Sequence, residues 1–337
     1  MNHNLKLSLT VIFTLFCIMF FFCCESIKPV QPDLNLIQEK AQSNTTTAKI
    51  NTVPTGGLEE ATVSPLLGEL NDKIAAEGKN VRVALAEWIT NLGNDQVGRT
   101  VYFANIGNKQ LSAHWVPGDP RRSGYTNITW LVDQVEGTPN GVSLTNANLA
   151  IGRAMDTWDR VNSISIPLVQ VSDGGMDWGY VQYLLGMGGD TIWYADITHA
   201  GWLGKAFFDS IAVNGSTYIL GVTYTLVWVD SNGDPTDMDH NGKMDVAFRE
   251  IYYNNRFVWG INAGYPLIDV ESIVLHETGH GLSQAHFGTL FVTDSNGKPH
   301  FSPLAVMNAG YVYVPWHKLM GTDIAGHCSI WASWPKN

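Results

Sequence analysis

The chain has 337 residues, 45% of them hydrophobic, 11% aromatic and 15% charged, which is long and apolar enough for a sizeable core. So many aromatics with so few charges exclude a wholly disordered chain. A net charge of −11, with only 20 Lys and Arg, lacks the basic footprint that nucleic acid requires, so no nucleic-acid partner is expected.

Lys6 precedes an apolar run over 7–24, LSLTVIFTLFCIMFFFCC. A basic start and an apolar stretch read as a secretory signal over 1–26, with an uncleaved anchor as the alternative. The Cys23-Cys24 pair resembles the end of a bacterial lipoprotein signal, although Phe21 and Phe22 stand where small residues are usual. Membrane attachment is therefore expected only through an N-terminal lipid or that anchor. Once this segment and its Cys17, Cys23 and Cys24 are gone, Cys328 remains, and one thiol cannot staple a fold. An exported protein without internal disulfides points to a bacterial envelope lipoprotein or a freely secreted protein.

Residues 27–60, with SNTTT and VPTGG, read as a flexible linker. Residues 61–122 read as a small αβ pro-segment or accessory region, with a helix over 62–77 and strands over 81–90 and 100–104. It ends in a turn-rich stretch carrying Arg121-Arg122, which reads as a solvated turn or, alternatively, a processing site. From 123 the pattern is strand (TNITWLVDQ), helix over 144–161, and strand over 164–171. Leu149, Ala150, Ala154, Trp158 and Val161 share the inner face of that helix. Strands follow over 202–208, 217–229 and 246–253, then a helix over 269–281 capped by Asp269. This order predicts one α+β domain over 123–337.

Residues 276–286 read HETGHGLSQAH. His276 and His280 lie four apart on a helix and can grip one ion, while Glu277 flanks that face and suits a base. His286 joins them only if the chain breaks after His280, and Gly281 stands at that point. Three imidazoles and an open fourth position describe a catalytic zinc site. Zinc would lower the pKa of its water to about 7 and polarise a carbonyl, with Glu277 shuttling the proton in amide hydrolysis.

With these residues the sequence resembles the metzincin zinc endopeptidases, of matrixin-like type, over about 125–337. The resemblance rests on His276, Glu277, His280 and His286, and on Met307 in AVMNAGY as the Met-turn. It implies a twisted mixed β-sheet, an active-site helix, and a C-terminal Met-turn followed by a helix at LMGTDIAG (319–326). GWLGKAFF (201–208) is similar to the edge strand that pairs with an extended peptide, with Leu203 and Gly204 facing the substrate. EIYYNNRFVWG (250–260) is similar to the following strand. Departures are Ser283 in place of a Gly, Phe287 after the third His, and Lys205 where matrixins carry a His for a second, structural zinc, which is therefore expected to be missing. No Cys-bearing latency motif precedes the domain.

Residues 237–245, DMDHNGKMD, place Asp237, Asp239, Asn241 and Asp245 in an alternating pattern with Gly at the sixth position. Such a loop can wrap calcium, and five carboxylates between Asp230 and Asp245 repel one another without a cation. The expectation is an exported, calcium-stabilised zinc endopeptidase acting on protein or peptide substrates. Two alternatives are a non-catalytic surface binding protein with the same fold and a zinc hydrolase with a non-peptide substrate.

Overall fold

Long runs of β-branched and aromatic residues at 81–91, 219–228 and 244–254 form the three longest strands, which lie side by side in one sheet. The computed structural model describes residues 62–92, 96–103, 112–293 and 298–336. The signal, lipidation and linker readings for 1–60 lie outside them. Among the described residues no helix is long and apolar enough to cross a membrane.

In chain order the first elements are β1 (Thr62–Val63), α1 (Pro65–Ala76), β2 (Val81–Asn91), β3 (Arg99–Tyr102) and β4 (Ala113–His114). Next come β5 (Ile128–Val132), α2 (Leu144–Asp159), β6 (Leu168–Gln170), α3 (Tyr180–Leu184), β7 (Ile197–Leu203) and α4 (Lys205–Ile211). Then follow β8 (Ile219–Trp228), β9 (Met244–Asn254), β10 (Trp259–Gly260), β11 (Ile268–Asp269) and α5 (Val270–Gly281). β12 (Thr289–Val292), β13 (Pro299–Ser302), β14 (Gly310–Tyr311) and α6 (Gly321–Trp331) complete the chain. The fold is a mixed α/β domain. Its large sheet runs β1-β3-β2-β8-β9-β7-β5-β6, with β14 beside β2 and β4 beside β9. β2 and β8 are antiparallel, as are β8 and β9, whereas β9, β7, β5 and β6 are parallel. The β5-α2-β6 crossover supplies the parallel half, as parallel neighbours require.

Two apolar layers cover the sheet. On one face α2 and α5 bury Ala150, Ile151, Ala154, Trp158, Ile273 and Val274. On the other, α1 and α4 bury Leu67, Leu70, Ile74, Phe207 and Phe208. Ser143 caps α2, and the small residues Ala147, Ala150 and Ala154 let that helix lie close to α5. Leu149, expected on this face, is 58% exposed. Size misled there: the contact face is made of alanines, and Leu149 sits about 100° around the helix from Ala150.

The region 61–122 contributes strands to the large sheet. β1, β2 and β3 extend the same sheet, and β4 pairs with β9. The strand expected over 202–208 ends at Leu203. Gly204 is the N-cap of α4, whose first turn is closed by an ion pair between Lys205 and Asp209. Of the two residues expected on an edge strand, Leu203 ends β7 and Gly204 lies beyond it. β7 pairs with β9 as far as Leu203, whereas its pairing with β5 covers only Ile197–His199.

Candidate metal centre

Helix α5 carries the centre, and every residue in it is buried. Asp269 caps it, accepting from Ser272 N (2.9 Å) and Ser272 Oγ (2.6 Å), and from His317 Nε2 at 2.8 Å. Burial would push the Asp269 carboxyl up, but the His317 and Ser272 bonds hold it below the usual carboxylate range. Along the shaft, Trp158 Nε1 donates to the Leu275 carbonyl at 2.9 Å and Arg153 pairs with Glu271 at 2.6 Å. At the far end, the Gly281 carbonyl accepts from Trp115 Nε1 (3.1 Å) and Arg249 Nη1 (2.8 Å). A buried guanidinium at a helix C-terminus satisfies an orphan carbonyl and opposes the helix dipole.

The three histidines meet. His276 Nδ1 lies 2.7 Å from the Val306 carbonyl, and His280 Nδ1 lies 2.7 Å from the Gln284 carbonyl. A carbonyl only accepts, so both Nδ1 atoms carry the proton and both Nε2 atoms present lone pairs. These Nε2 atoms lie 3.1 Å apart, and His280 Nε2 lies 3.2 Å from His286 Nε2. Lone pairs brought this close repel unless a cation sits among them. Tetrahedral zinc at its usual bond length would space its nitrogens by roughly 3.3 Å, so the donor set fits that ion. Burial pushes His276 down to about 4, and burial with the neighbouring imidazoles holds His280 and His286 well below the ordinary value. All three rings are thus neutral ligands at neutral pH.

The reversal that brings His286 back is not made at Gly281, which stays inside α5. It is made at Ser283, whose φ of 66° is left-handed. This is the position where the matrixin pattern has Gly. Ser283 Oγ donates to the Ala113 carbonyl at 2.9 Å, and Gln284 N closes the turn onto the Gly279 carbonyl at 2.9 Å. A side-chain bond offsets the strain that a non-glycine residue carries there.

Glu277 is fully buried beside the triad. Its carboxylate accepts from Thr223 Oγ1 at 2.6 Å and from Ile89 N at 3.4 Å. Burial pushes it up to about 8, against the pull of those two donors. Met307 lies under the helix. A Cβ built on Gly279 would overlap the Met307 sulfur and come within 3.0 Å of Met307 Cε and Trp158 Cζ2. Asp323 fixes this segment, accepting from Val306 N (2.9 Å), Met307 N (3.1 Å) and Met320 N (2.8 Å). The carbonyl that orients His276 is therefore itself held by the cap of α6.

The acidic loop is already largely engaged by the protein. Carboxylates of Asp237, Asp239 and Asp245 gather in one cluster. Asp245 is buried and bound by Arg121 Nη2 (2.7 Å), Thr236 Oγ1 (2.6 Å) and Met238 N (3.0 Å). Asp237 accepts from Asn241 N and Gly242 N, both at 3.0 Å, and Asp239 accepts from the Asn241 amide at 3.0 Å. The Arg121-Arg122 pair is not a solvated turn. Arg121 bridges Asp119 and Asp245, while Arg122 is buried against Asp196 at 2.6 Å.

Four contributors escaped the sequence reading: Thr223 on β8, the carbonyls of Gln284 and Val306, and β2. Glu87 of β2 brings a carboxylate to 3.5 Å from His280 Nδ1, and burial pushes it up to about 8. The alternation Leu85, Glu87, Ile89 was the available signal, since it puts one carboxylate on an otherwise apolar face. No family model matches the chain, and no curated protein matches it.

Proposed function

We propose that the chain is an exported zinc-dependent endopeptidase with a metzincin-type, matrixin-like site. The observation that carries this reading is the convergence of His276, His280 and His286 through Nε2, with Glu277 alongside and Met307 beneath. His276, His280 and His286 would hold the zinc, which when bound activates water and polarises a carbonyl. Val306 and Gln284 orient two of the rings. Glu277 receives the proton of the attacking water and passes it to the leaving amine. Thr223 Oγ1 fixes the position of the carboxylate. The N-terminal run over 7–24 supports export. The acidic loop at Asp237, Asp239, Asn241 and Asp245 is proposed to take calcium as a stabilising ion, with Asp245 also bound by Arg121. Calcium should raise the melting temperature of the parent and not of an Asp239→Asn variant.

The test is metal content with cleavage of an unstructured protein by residues 27–337, before and after limited proteolysis. One zinc per chain, lost in His280→Ala, with cleavage lost in Glu277→Ala, supports the reading. Zinc-free protein after incubation with zinc, or equal cleavage by Glu277→Ala, ends it. One observation favours the non-catalytic alternative: β2 fills the space beside the triad. Zinc bound without cleavage in any form would establish that alternative.

A further inference from the structure

β8 and β14 border the triad. Thr223 of β8 holds Glu277, and β14 follows Met307 by three residues. In the large sheet the strand that β8 and β14 share is β2. It pairs antiparallel with β8 from Val81↔Trp228 to Thr90↔Ile219, and parallel with β14 at Thr90↔Gly310 and Asn91↔Tyr311. The backbone N–H of Ile89 points at the Glu277 carboxylate, 3.4 Å away, and Glu87 reaches His280. Ile89 belongs to the same apolar cluster as Val306, Met307 and Tyr311. A backbone amide presented to the base, with its side chain buried in the core that also holds the Met307 segment, is the arrangement that a bound peptide would need.

We infer that β2 is the resident occupant of the peptide groove, so that the elements β1, α1, β2 and β3 form an inhibitory segment. The groove takes an extended peptide in the same direction as β2, with a bulky apolar side chain where Ile89 sits. This rests on the metallopeptidase reading of the site. The segment is built to act as a unit. α1 packs on β2, and the Asn71 side chain clamps Val83 by accepting from its N at 2.7 Å and donating to its O at 3.0 Å. β3 pairs with β2, and β1 with β3. From Ala113 onward the chain is fastened independently: β4 pairs with β9, Trp115 bonds Gly281, and Arg122 is locked to Asp196. The inhibitory segment therefore ends before Ala113, and Arg121-Arg122 is too well held to be its processing site. With β2 withdrawn, β8 becomes the free edge that strand addition requires.

The probe is a peptidyl hydroxamate with a leucine-type side chain, added to the zinc-loaded protein while amide exchange is followed over 81–91. Weak binding that speeds exchange over 81–91 is expected. Asn71→Ala, which removes two bonds between α1 and β2, should bind the probe about tenfold more tightly. Tight binding with 81–91 still protected, or no binding to either protein, overturns the inference. So does an Asn71→Ala variant that folds normally and binds no more tightly. If that variant does not fold, exchange in the parent decides alone. Probe binding that tracks release of β2, without hydrolysis by any form, leaves the occlusion standing and removes the peptidase. Hydrolysis with 81–91 protected does the reverse.

Discussion

Gly279→Ala isolates the packing beneath the metal centre. In an exposed helix this exchange gains about 1 kcal/mol, because Ala loses less backbone entropy. At position 279 the added Cβ would overlap the Met307 sulfur and lie 3.0 Å from Trp158 Cζ2, a ring already anchored by its bond to Leu275. Met307 has little room to retreat. Its N bonds Asp323 at 3.1 Å, and its carbonyl accepts from Phe287 N at 2.8 Å. Overpacking of this kind costs about 1–3 kcal/mol and more when neighbours are held. The net expectation is a loss of about 2 kcal/mol, or about 3–4 °C in melting temperature for a domain of this size. Zinc affinity should fall with it, because displacing Met307 moves the adjacent Val306 carbonyl off His276. Thermal unfolding and a competitive zinc titration would read both effects. In a cycle with Met307→Ala, the two substitutions should couple by about 1–2 kcal/mol. A Gly279→Ala variant as stable as the parent, with additive effects in the cycle, would refute close packing of Met307 against α5.

Ser283→Ala should cost about 1 kcal/mol, since it keeps the left-handed strain and loses the bond to Ala113. Ser283→Gly should be near neutral, because relief of strain offsets the same lost bond; urea unfolding of both variants checks the pair. Removing metal with a chelator should lower stability by about 4 kcal/mol where free zinc had been near a thousandfold above its Kd, read as a melting shift that zinc reverses and magnesium does not. His114 and His327 are pushed down to about 4 and His199 to about 3 by burial. Their folded values lie below the unfolded one. Their contribution to stability should therefore be full above about 6.5 and fall as pH drops from there toward about 4, opposite in sign to that of the raised Glu87 and Glu277 carboxyls. A His199→Phe variant whose melting temperature follows the same pH profile as the parent would count against a neutral imidazole at 199. Asp323→Ala removes the acceptor of three backbone N–H groups, and should cost about 3 kcal/mol and weaken zinc binding together.

Local chemistry by itself determined much of this protein. Helical spacing put His276 and His280 on one face with Glu277 beside it, and Asp269 announced the helix start, because both follow from geometry within a few residues. The strands over 81–90, 217–229 and 246–253 were readable from β-branched and aromatic runs, which need no knowledge of the partner strand. The order of the sheet did not follow from those runs. The strand read over 202–208 stops at Leu203, where Gly204 caps a helix, and only the wider packing decides where a strand ends. Arg121 and Arg122 read as solvated charge until Asp119, Asp245 and Asp196, as far as 124 residues away, closed around them. The reversal at Ser283 is held by a carbonyl at Ala113, which no local rule supplies. The same holds for β2. Its sequence says strand and nothing more; that it lies between β8 and β14 with Ile89 against Glu277 is decided by hydrogen-bond register across the whole chain, a long-range choice that side-chain periodicity does not encode.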